Sequence, residues 1–191
     1  MDDERLLQPV PHPSRADAVK NRELLLAAAR ALFARQGVEA VSMSAIAEAA
    51  GVGKGTLYRN FDNKAELCNA LLDHDMRALQ ERVLLRLRQQ GDARADLAWF
   101  VEEVARFVIS NADLLMASPG LMLAHPAHLW WRQTVRGLLQ RAGFDGDLDY
   151  FADAIYVLLD VRAINFQRRA LNDDPERIVA GLRRLVALIT S

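Results

Sequence analysis

The sequence predicts an all-α protein of about nine helices. Apolar residues recur every three to four positions through most of the chain, which is the period of an amphipathic helix. The periodic segments end at glycines or shortly before prolines, which are common helix stops. No alternating run of Val, Ile, Thr and Tyr lies between tight turns, so strands are not expected.

The elements of the N-terminal part follow from local signals. A first helix over 21–36 has one apolar face and is ended by the glycine that follows it. Ser42 can cap a second, short helix, which Gly51 ends. A third short helix spans 53–61, and a fourth, long helix spans 64 to about 89.

The remaining elements are also helical. An amphipathic helix spans 92 to about 111, and a second begins at Pro126 and reaches 143, because proline suits the first turn. A long segment follows over 147 to about 170. The last helix spans 175–189, and its Asp-Pro start is a strong initiation signal.

Length and composition indicate an ordinary globular chain. The 191 residues are 51% hydrophobic and 26% charged, with a formal net charge of −1 at pH 7, which is enough for one or two domains with a real core. The single cysteine excludes an internal disulfide and a cysteine-rich zinc site. The acidic start and the lack of a long apolar run predict a cytoplasmic protein without a membrane segment.

The charge and the prolines suggest three parts. Residues 1–14, with three prolines, are predicted to form a flexible arm. Residues 15–66 form a domain that contains all the chain's lysines, Lys20, Lys54 and Lys64, and such asymmetry indicates a region that faces anions. Residues 67–191 form a second helical domain.

Two short helices joined by a glycine turn at 51–54 have the layout of a helix-turn-helix, whose second helix can enter the DNA major groove. That helix carries groups that bond phosphates and base edges, namely Lys54, Thr56, Tyr58, Arg59 and Asn60. Gly55 lets the main chain approach a phosphate. Lys64 adds a cation to the free N–H groups that begin the next helix.

The stretch VSMSAIAEAAGVGKGTLYRNFDNKAEL, residues 41–67, resembles the N-terminal DNA-binding signature of the TetR family of one-component transcriptional regulators. The preceding LLLAAARALFARQGVEA resembles that family's first helix and loop. The remaining chain matches the family's divergent C-terminal ligand-binding and dimerisation domain only in length and helical pattern. One departure is Gly53, where the family more often has a capping serine.

The resemblance implies a role for each residue of the motif. The base or nearby phosphate contacts are Thr56, Tyr58 and Asn60. The phosphate contacts are Lys54, Gly55 and Lys64, and the helpers at the second helix are Ser42 and Ser44. Three alternatives stay open: Tyr58 as a packing aromatic, Arg59 as a solvated or salt-bridged side chain, and Ser42 as a cap alone.

A single short helix reads few base pairs, so two copies are expected on a palindromic operator in double-stranded DNA, ~34–36 Å apart. In the family, the last two helices of each subunit form the four-helix bundle of a homodimer. The residues predicted for this interface are Ile155, Leu158, Leu159, Ile178, Leu182, Leu185 and Ile189. The alternative is that both apolar stripes serve only the subunit's own core.

Most of the aromatic residues lie in 92–160, which predicts an apolar pocket with a few polar anchors for a small apolar or aromatic effector. The predicted apolar lining is Trp99, Phe100, Phe107, Met116 and Trp131. The predicted anchors are Glu103, His128, Tyr156 and Asp160. The alternative is that these side chains form the core.

These observations predict a ligand-responsive, sequence-specific transcriptional regulator, specifically a repressor that its effector releases from DNA. The alternative is a helical small-molecule-binding protein with no role on DNA. No nucleophile–base set appears, the 51–56 loop departs from the phosphate-loop pattern, and His125 and His128 lack a nearby carboxylate cluster. We therefore expect no catalysis, no cofactor and no metal.

Overall fold

A computed structural model describes residues 15–117 and 126–190, and all ten regular elements in those ranges are α-helices. They are α1 (Arg15–Gln36), α2 (Met43–Ala49), α3 (Lys54–Asn60), α4 (Lys64–Leu87), α5 (Ala93–Ser110), α6 (Ala112–Met116), α7 (Pro126–Arg141), α8 (Leu148–Leu158), α9 (Val161–Arg169) and α10 (Pro175–Ile189). The all-α prediction is confirmed. The predicted arm, 1–14, lies outside the described residues.

Two helices were not predicted as separate elements. The segment expected over 147–170 is divided, because the Asp160 carboxylate accepts a hydrogen bond from the Arg162 N–H at 2.8 Å and caps α9. An aspartate at an N-cap accepts a hydrogen bond from an N–H of the first turn that has no partner within the helix. After Asn111, which ends α5 as predicted, the chain forms the five-residue helix α6.

The chain divides into two compact units, one ending at Lys64 and one beginning at Ala65. The predicted division, after Glu66, is slightly further along the chain. In the N-terminal unit, α1, α2 and α3 pack against each other. Their apolar faces meet in a small core, in which Leu25, Ile46 and Leu57 are fully buried.

The C-terminal unit has α5 at its centre. This helix packs against α7, α9 and α10, and its buried face shares one core with Leu79 and Val83 of α4. Half-buried Trp99 and Trp130 lie at the margin of that core. In the part of the chain that the structure describes, no helix is both long and apolar enough to span a bilayer.

Candidate functional site

The turn between α2 and α3 is a Schellman motif. The Val52 N–H donates to the Ala47 carbonyl at 3.0 Å, and the Gly51 N–H donates to the Glu48 carbonyl at 3.0 Å. Gly51 has φ +65°, a conformation that glycine adopts without a steric cost. The predicted glycine stop is confirmed. These two local hydrogen bonds help to set the angle between α2 and α3.

The beginning of α2 is capped as the sequence indicates. The Ser42 hydroxyl accepts a hydrogen bond from the Ala45 N–H at 3.1 Å, which satisfies one of the free donors of the first turn. Ser44 lies half-buried in that turn. Ser42 therefore has a structural role, and a DNA contact from either serine stays a prediction.

The helix α3 has a buried face and an exposed face. Leu57 and, just beyond the helix, Phe61 are 0% and 1% exposed and anchor it in the core. The solvent-facing side presents the predicted DNA-contacting residues: Lys54, Gly55, Tyr58 and Arg59 are exposed, and Thr56 and Asn60 are half-buried. Tyr58 is 50% exposed, so it is available to a ligand rather than enclosed in the core.

The polar side chains of α3 are linked to the helix itself. Arg59 donates from Nε to the Gly55 carbonyl and from Nη2 to the Thr56 hydroxyl, both at 3.1 Å. Asn60 donates to the Thr56 carbonyl at 2.8 Å. Arg59 is thus held against its own helix, which neither sequence interpretation of it included.

The two lysines expected to contact phosphates are placed differently. Lys54 is exposed and has no hydrogen bond or ion pair within the described residues. Lys64 Nζ instead donates to the carbonyls of Val38, Glu39 and Val41 at 2.8, 3.1 and 3.0 Å. The sequence pattern did not distinguish these two environments.

A residue of α1 that the sequence analysis did not select contacts the end of α3. The Arg22 guanidinium carbon lies 4.5 Å from the centre of the Phe61 ring, and Nη1 donates to the Asn60 carbonyl at 3.4 Å. A cation over an aromatic face is attracted by the ring's quadrupole. These partners are 38 residues apart in sequence, so no local pattern could have identified the contact.

Four of the nine residues predicted to form a ligand pocket are buried in the core of the C-terminal unit. Those buried there are Phe100, Phe107, Trp131 and Tyr156. Phe107 and Trp131 meet edge to face with ring centres 5.8 Å apart. Burial, with the nearby Asp160 charge, raises the pKa of Tyr156 to about 12. Their positions agree with the alternative of core packing, and a pocket stays a prediction.

The other predicted pocket residues have different surroundings. Glu103 is paired with Arg82 at 3.0 Å, Asp160 caps α9, and Met116 is 50% exposed. Trp99 lies under the Arg86 guanidinium, 4.6 Å from ring centre to carbon. The side chain of His128 lies outside the described residues. Glu103 and Asp160 are thus already occupied by partners within the chain.

Several residues predicted for the dimer interface are buried in the subunit itself. These are Ile155, Leu159, Ile178 and Leu182, each under 9% exposed. Their burial agrees with the alternative that the apolar stripes serve the subunit's own core, and a contact with a partner subunit stays a prediction. Leu158 and Ile189 are half-buried, and Leu185 is 39% exposed. The large apolar side chains that the C-terminal helices do expose include Val157, Phe166 and Leu188.

Two open cavities are formed by described residues of the C-terminal unit. One of about 240 Å³ is bounded by α8, α9 and α10 and includes Leu158, Gly181 and Leu185. The other, of about 430 Å³, includes Arg94, Phe144 and Thr190. Neither contains a residue predicted to bind an effector. Across residues 15–117 and 126–190, no group of three His, Cys, Asp or Glu side chains is arranged to hold a metal ion.

Comparison with known sequences finds proteins similar to the N-terminal unit. Residues 25–71 match the family described as bacterial regulatory proteins, tetR family. Over 62 residues the chain is 44% identical to an HTH-type transcriptional regulator of Staphylococcus aureus strain bovine RF122, and to another from strain USA300. These matches cover 32% of this chain and 34% of each relative, so the chain spans about a third of their length.

Comparison with solved structures extends the likeness to the fold of the whole chain. A TetR/AcrR-family regulator from Thermobifida fusca has a TM-score of 0.72 at 16% identity, covering 88% of this chain and 97% of that one. A regulator from Saccharomonospora viridis, in complex with choline, gives 0.71 at 20% identity over 88% and 96%. FadR from Bacillus subtilis, in complex with stearoyl-CoA, gives 0.64 at 18% over 86% and 97%.

The motif, the family match and the fold agree with one another. The signature at residues 41–67 lies entirely inside the matched range. The helices beyond it follow the same architecture as TetR/AcrR structures. The N-terminal helix-turn-helix unit is therefore similar in sequence to the tetR family, and the chain has the fold of TetR/AcrR-family structures.

Proposed function

We propose that this protein is a sequence-specific transcriptional regulator that binds a palindromic operator as a homodimer and responds to a small-molecule effector. The observation that carries the proposal is α3, which is anchored by Leu57 and presents Lys54, Tyr58 and the Arg59–Thr56 pair on its free side. A short, rigid helix with such a face suits insertion into a major groove.

The electrostatics of the N-terminal unit support a polyanionic partner. Lys54 projects from the first position of α3 without a partner in the described residues. Arg59 bonds to a carbonyl and a hydroxyl, neither of which neutralises its charge. A guanidinium in this state keeps donors free for a phosphate or a guanine edge.

The C-terminal unit supports a homodimer. The groove beside α8 and α10 is lined by half-buried Leu158, exposed Leu185 and Gly181. A glycine lets another backbone approach closely, and exposed leucines lose unfavourable hydration when covered. We propose that a second copy covers this groove, which gives the paired α3 helices that a palindrome requires.

Ligand response is supported by the neighbours of the fold. Two similar proteins were solved with small molecules, choline in one case and stearoyl-CoA in the other. The aromatic residues at the margin of this chain's core, Trp99 and Trp130, are half-buried. We propose an apolar or aromatic effector that binds in the C-terminal unit and reduces the affinity for DNA, so that the protein acts as a repressor.

The proposal is tested by selecting bound sequences from random double-stranded DNA with the full-length protein. We expect enrichment of a palindrome, and we expect Tyr58→Ala to weaken binding to it by about 10- to 100-fold. Tyr150→Ala is the matched control, since Tyr150 is also exposed, at 68%, but lies in α8. Recovery of no common sequence would contradict the proposal and favour a small-molecule-binding protein without a role on DNA.

The effector is tested separately by thermal stability measurements against a library of hydrophobic compounds. A compound that raises the melting temperature should also lower the affinity for the selected palindrome, because a ligand shifts an equilibrium only through its differential affinity for two states. Stabilisation without a change in DNA affinity would contradict the regulatory role of that compound.

A further inference from the structure

The ammonium of Lys64 occupies a site made of three main-chain carbonyls. Its distances to the oxygens of Val38, Glu39 and Val41 are 2.8, 3.1 and 3.0 Å. A lysine ammonium has three N–H donors, so every one of them has an acceptor inside the N-terminal unit. Lys64 itself is half-buried. It therefore has no donor left for a phosphate in this conformation.

The three carbonyls belong to the segment that connects α1 to α2. This segment begins after Gly37, whose φ of +79° reverses the chain at the end of α1. It ends at Ser42, the cap of α2. The side chains of Val38 and Val41 are 4% and 2% exposed and hold one side of the segment in the core. The Lys64 ammonium binds three of the carbonyl groups of this segment.

The hydrogen bonds of Lys64 influence the position of α3 through α2. The start of α2 depends on Ser42, which directly follows the segment that Lys64 holds, and α2 packs against α3. Lys64 is 23 to 26 residues from the carbonyls in sequence, so the bonds join the first residue of α4 to the beginning of the helix-turn-helix. No nearby side chain of α2 or α3 makes an equivalent tie to this segment in the described residues.

We propose that Lys64 is a positioning residue that fixes the α1–α2 connection, and thereby the DNA-contacting helix, rather than a ligand of the DNA backbone. This inference rests on the proposed function, because it concerns how the same unit binds DNA. It also gives the two lysines different roles. Lys54 offers a positive charge to the DNA, and Lys64 holds the α1–α2 connection in place.

The experiment compares Lys64→Met, Lys64→Gln and Lys54→Met in the full-length protein. Affinity for the selected palindrome is measured over a salt series, at a temperature at which circular dichroism shows every variant to be folded. Hydrogen exchange of the amides of Ala45 and Ile46 is measured without DNA. Each phosphate contact that is lost reduces the slope of log affinity against log salt by about 0.9.

We expect Lys64→Met to weaken binding by about tenfold at every salt concentration without a change of slope, and to accelerate exchange at Ala45 and Ile46. Lys64→Gln should recover part of both effects, because its amide donates two hydrogen bonds without a charge. Lys54→Met should lower the slope by about 0.9 per subunit and leave exchange unchanged.

Three results would overturn the inference. A lower salt slope for Lys64→Met, with unchanged exchange, would make Lys64 a phosphate ligand. Faster exchange with unchanged DNA affinity would make it a structural residue only, and an unchanged Lys64→Met variant would give it neither role. If the wild-type protein selects no palindrome, the proposed function fails, whereas the exchange measurement still shows whether Lys64 holds the connection.

Discussion

The two units of this protein use their basic side chains in different ways. In the N-terminal unit, Arg22, Arg59 and Lys64 donate to main-chain carbonyls. In the C-terminal unit, the arginines paired with carboxylates are Arg82, Arg86, Arg106, Arg132, Arg136, Arg162, Arg169, Arg177 and Arg183. Two others, Arg141 and Arg168, donate to carbonyls.

The difference has an electrostatic meaning. A carboxylate cancels the charge of its partner, whereas a carbonyl oxygen orders a cation and leaves its net charge in place. The N-terminal unit can thus be held together by cations and still attract a polyanion. The C-terminal unit uses ion pairs to join its helices, as Arg106 does between α5 and Glu176 of α10.

The largest expected effect concerns the most buried ion pair of the C-terminal unit. Asp96 has a side chain only 4% exposed and bonds to Arg86 at 2.9 Å, and its other oxygen has no partner in the described residues. Arg86→Ala should lower the free energy of unfolding by about 3–5 kcal/mol, because it leaves a buried charge uncompensated. Denaturation followed by tryptophan fluorescence reports on this unit, since all three tryptophans lie in it.

Arg82→Ala is the matched control for that measurement. Its pair with Glu103 lies on the surface, with side chains 54% and 23% exposed, and such pairs contribute less than about 1 kcal/mol. Equal losses of unfolding free energy in the two variants would show that burial does not determine how much an ion pair contributes to the stability of this unit.

A smaller effect is expected where a cation is held by an aromatic ring. Arg22→Met removes the contact with Phe61 and the bond to the Asn60 carbonyl, which should cost the N-terminal unit about 1 kcal/mol. Hydrogen exchange in α3 measures it. Lys20→Met, an exposed residue on the same helix, should have no effect, and a similar loss from both variants would remove the special role of Arg22.

The buried phenol of the C-terminal unit should be visible at high pH. Burial and Asp160 raise the pKa of Tyr156 from 10.0 to about 12, so its contribution to stability is complete below pH 10 and decreases as the pH rises towards 12. Absorbance titration should show one late-ionising phenol, which Tyr156→Phe removes. Persistence of that step in the variant would assign it to Tyr58 or Tyr150 instead.

The smallest effect is expected from an exposed pair between α7 and α8. The hydrogen bond from Arg132 lowers the pKa of Asp153 below its usual value. Stability from this pair is therefore present above about pH 4 and is lost as the pH falls further. Asp153→Asn should therefore lower stability slightly at neutral pH, and the difference from the wild type should disappear as the pH falls and Asp153 becomes protonated. A large loss at neutral pH would show that these surface charges contribute more than surface pairs usually do.

Much of the fold could be predicted because its signals are local. The Ser42 cap, the Gly51 turn and the Asp174–Pro175 start of α10 each involve residues within a few positions of one another. The division at Asp160 was missed because an aspartate within an apolar periodic segment is compatible with a continuing helix. The hydrogen bond that its carboxylate accepts from the Arg162 N–H shows that a new helix begins there.

The candidate site was predicted in part for the same reason. The exposed face of α3 follows from which residues alternate with Leu57 and Phe61, so Lys54 and Tyr58 could be selected from the pattern. The placement of Lys64 could not be, because the pattern shows a lysine at the start of a helix and not the carbonyls that surround it. An apolar stripe does not indicate which neighbour it meets, so the pattern alone could not show that Ile155 and Ile178 are buried within the subunit.

The sequence alone determined the class of the fold, the limits of most helices and the polar face of α3, since helix periodicity and capping depend on residues close together along the chain. The tertiary structure alone decided which cations hold the protein together and which remain free. Arg22 meets Asn60 across 38 residues, and Arg106 meets Glu176 across 70. Such pairs exist only after the helices pack, because packing brings their distant ends within hydrogen-bond range.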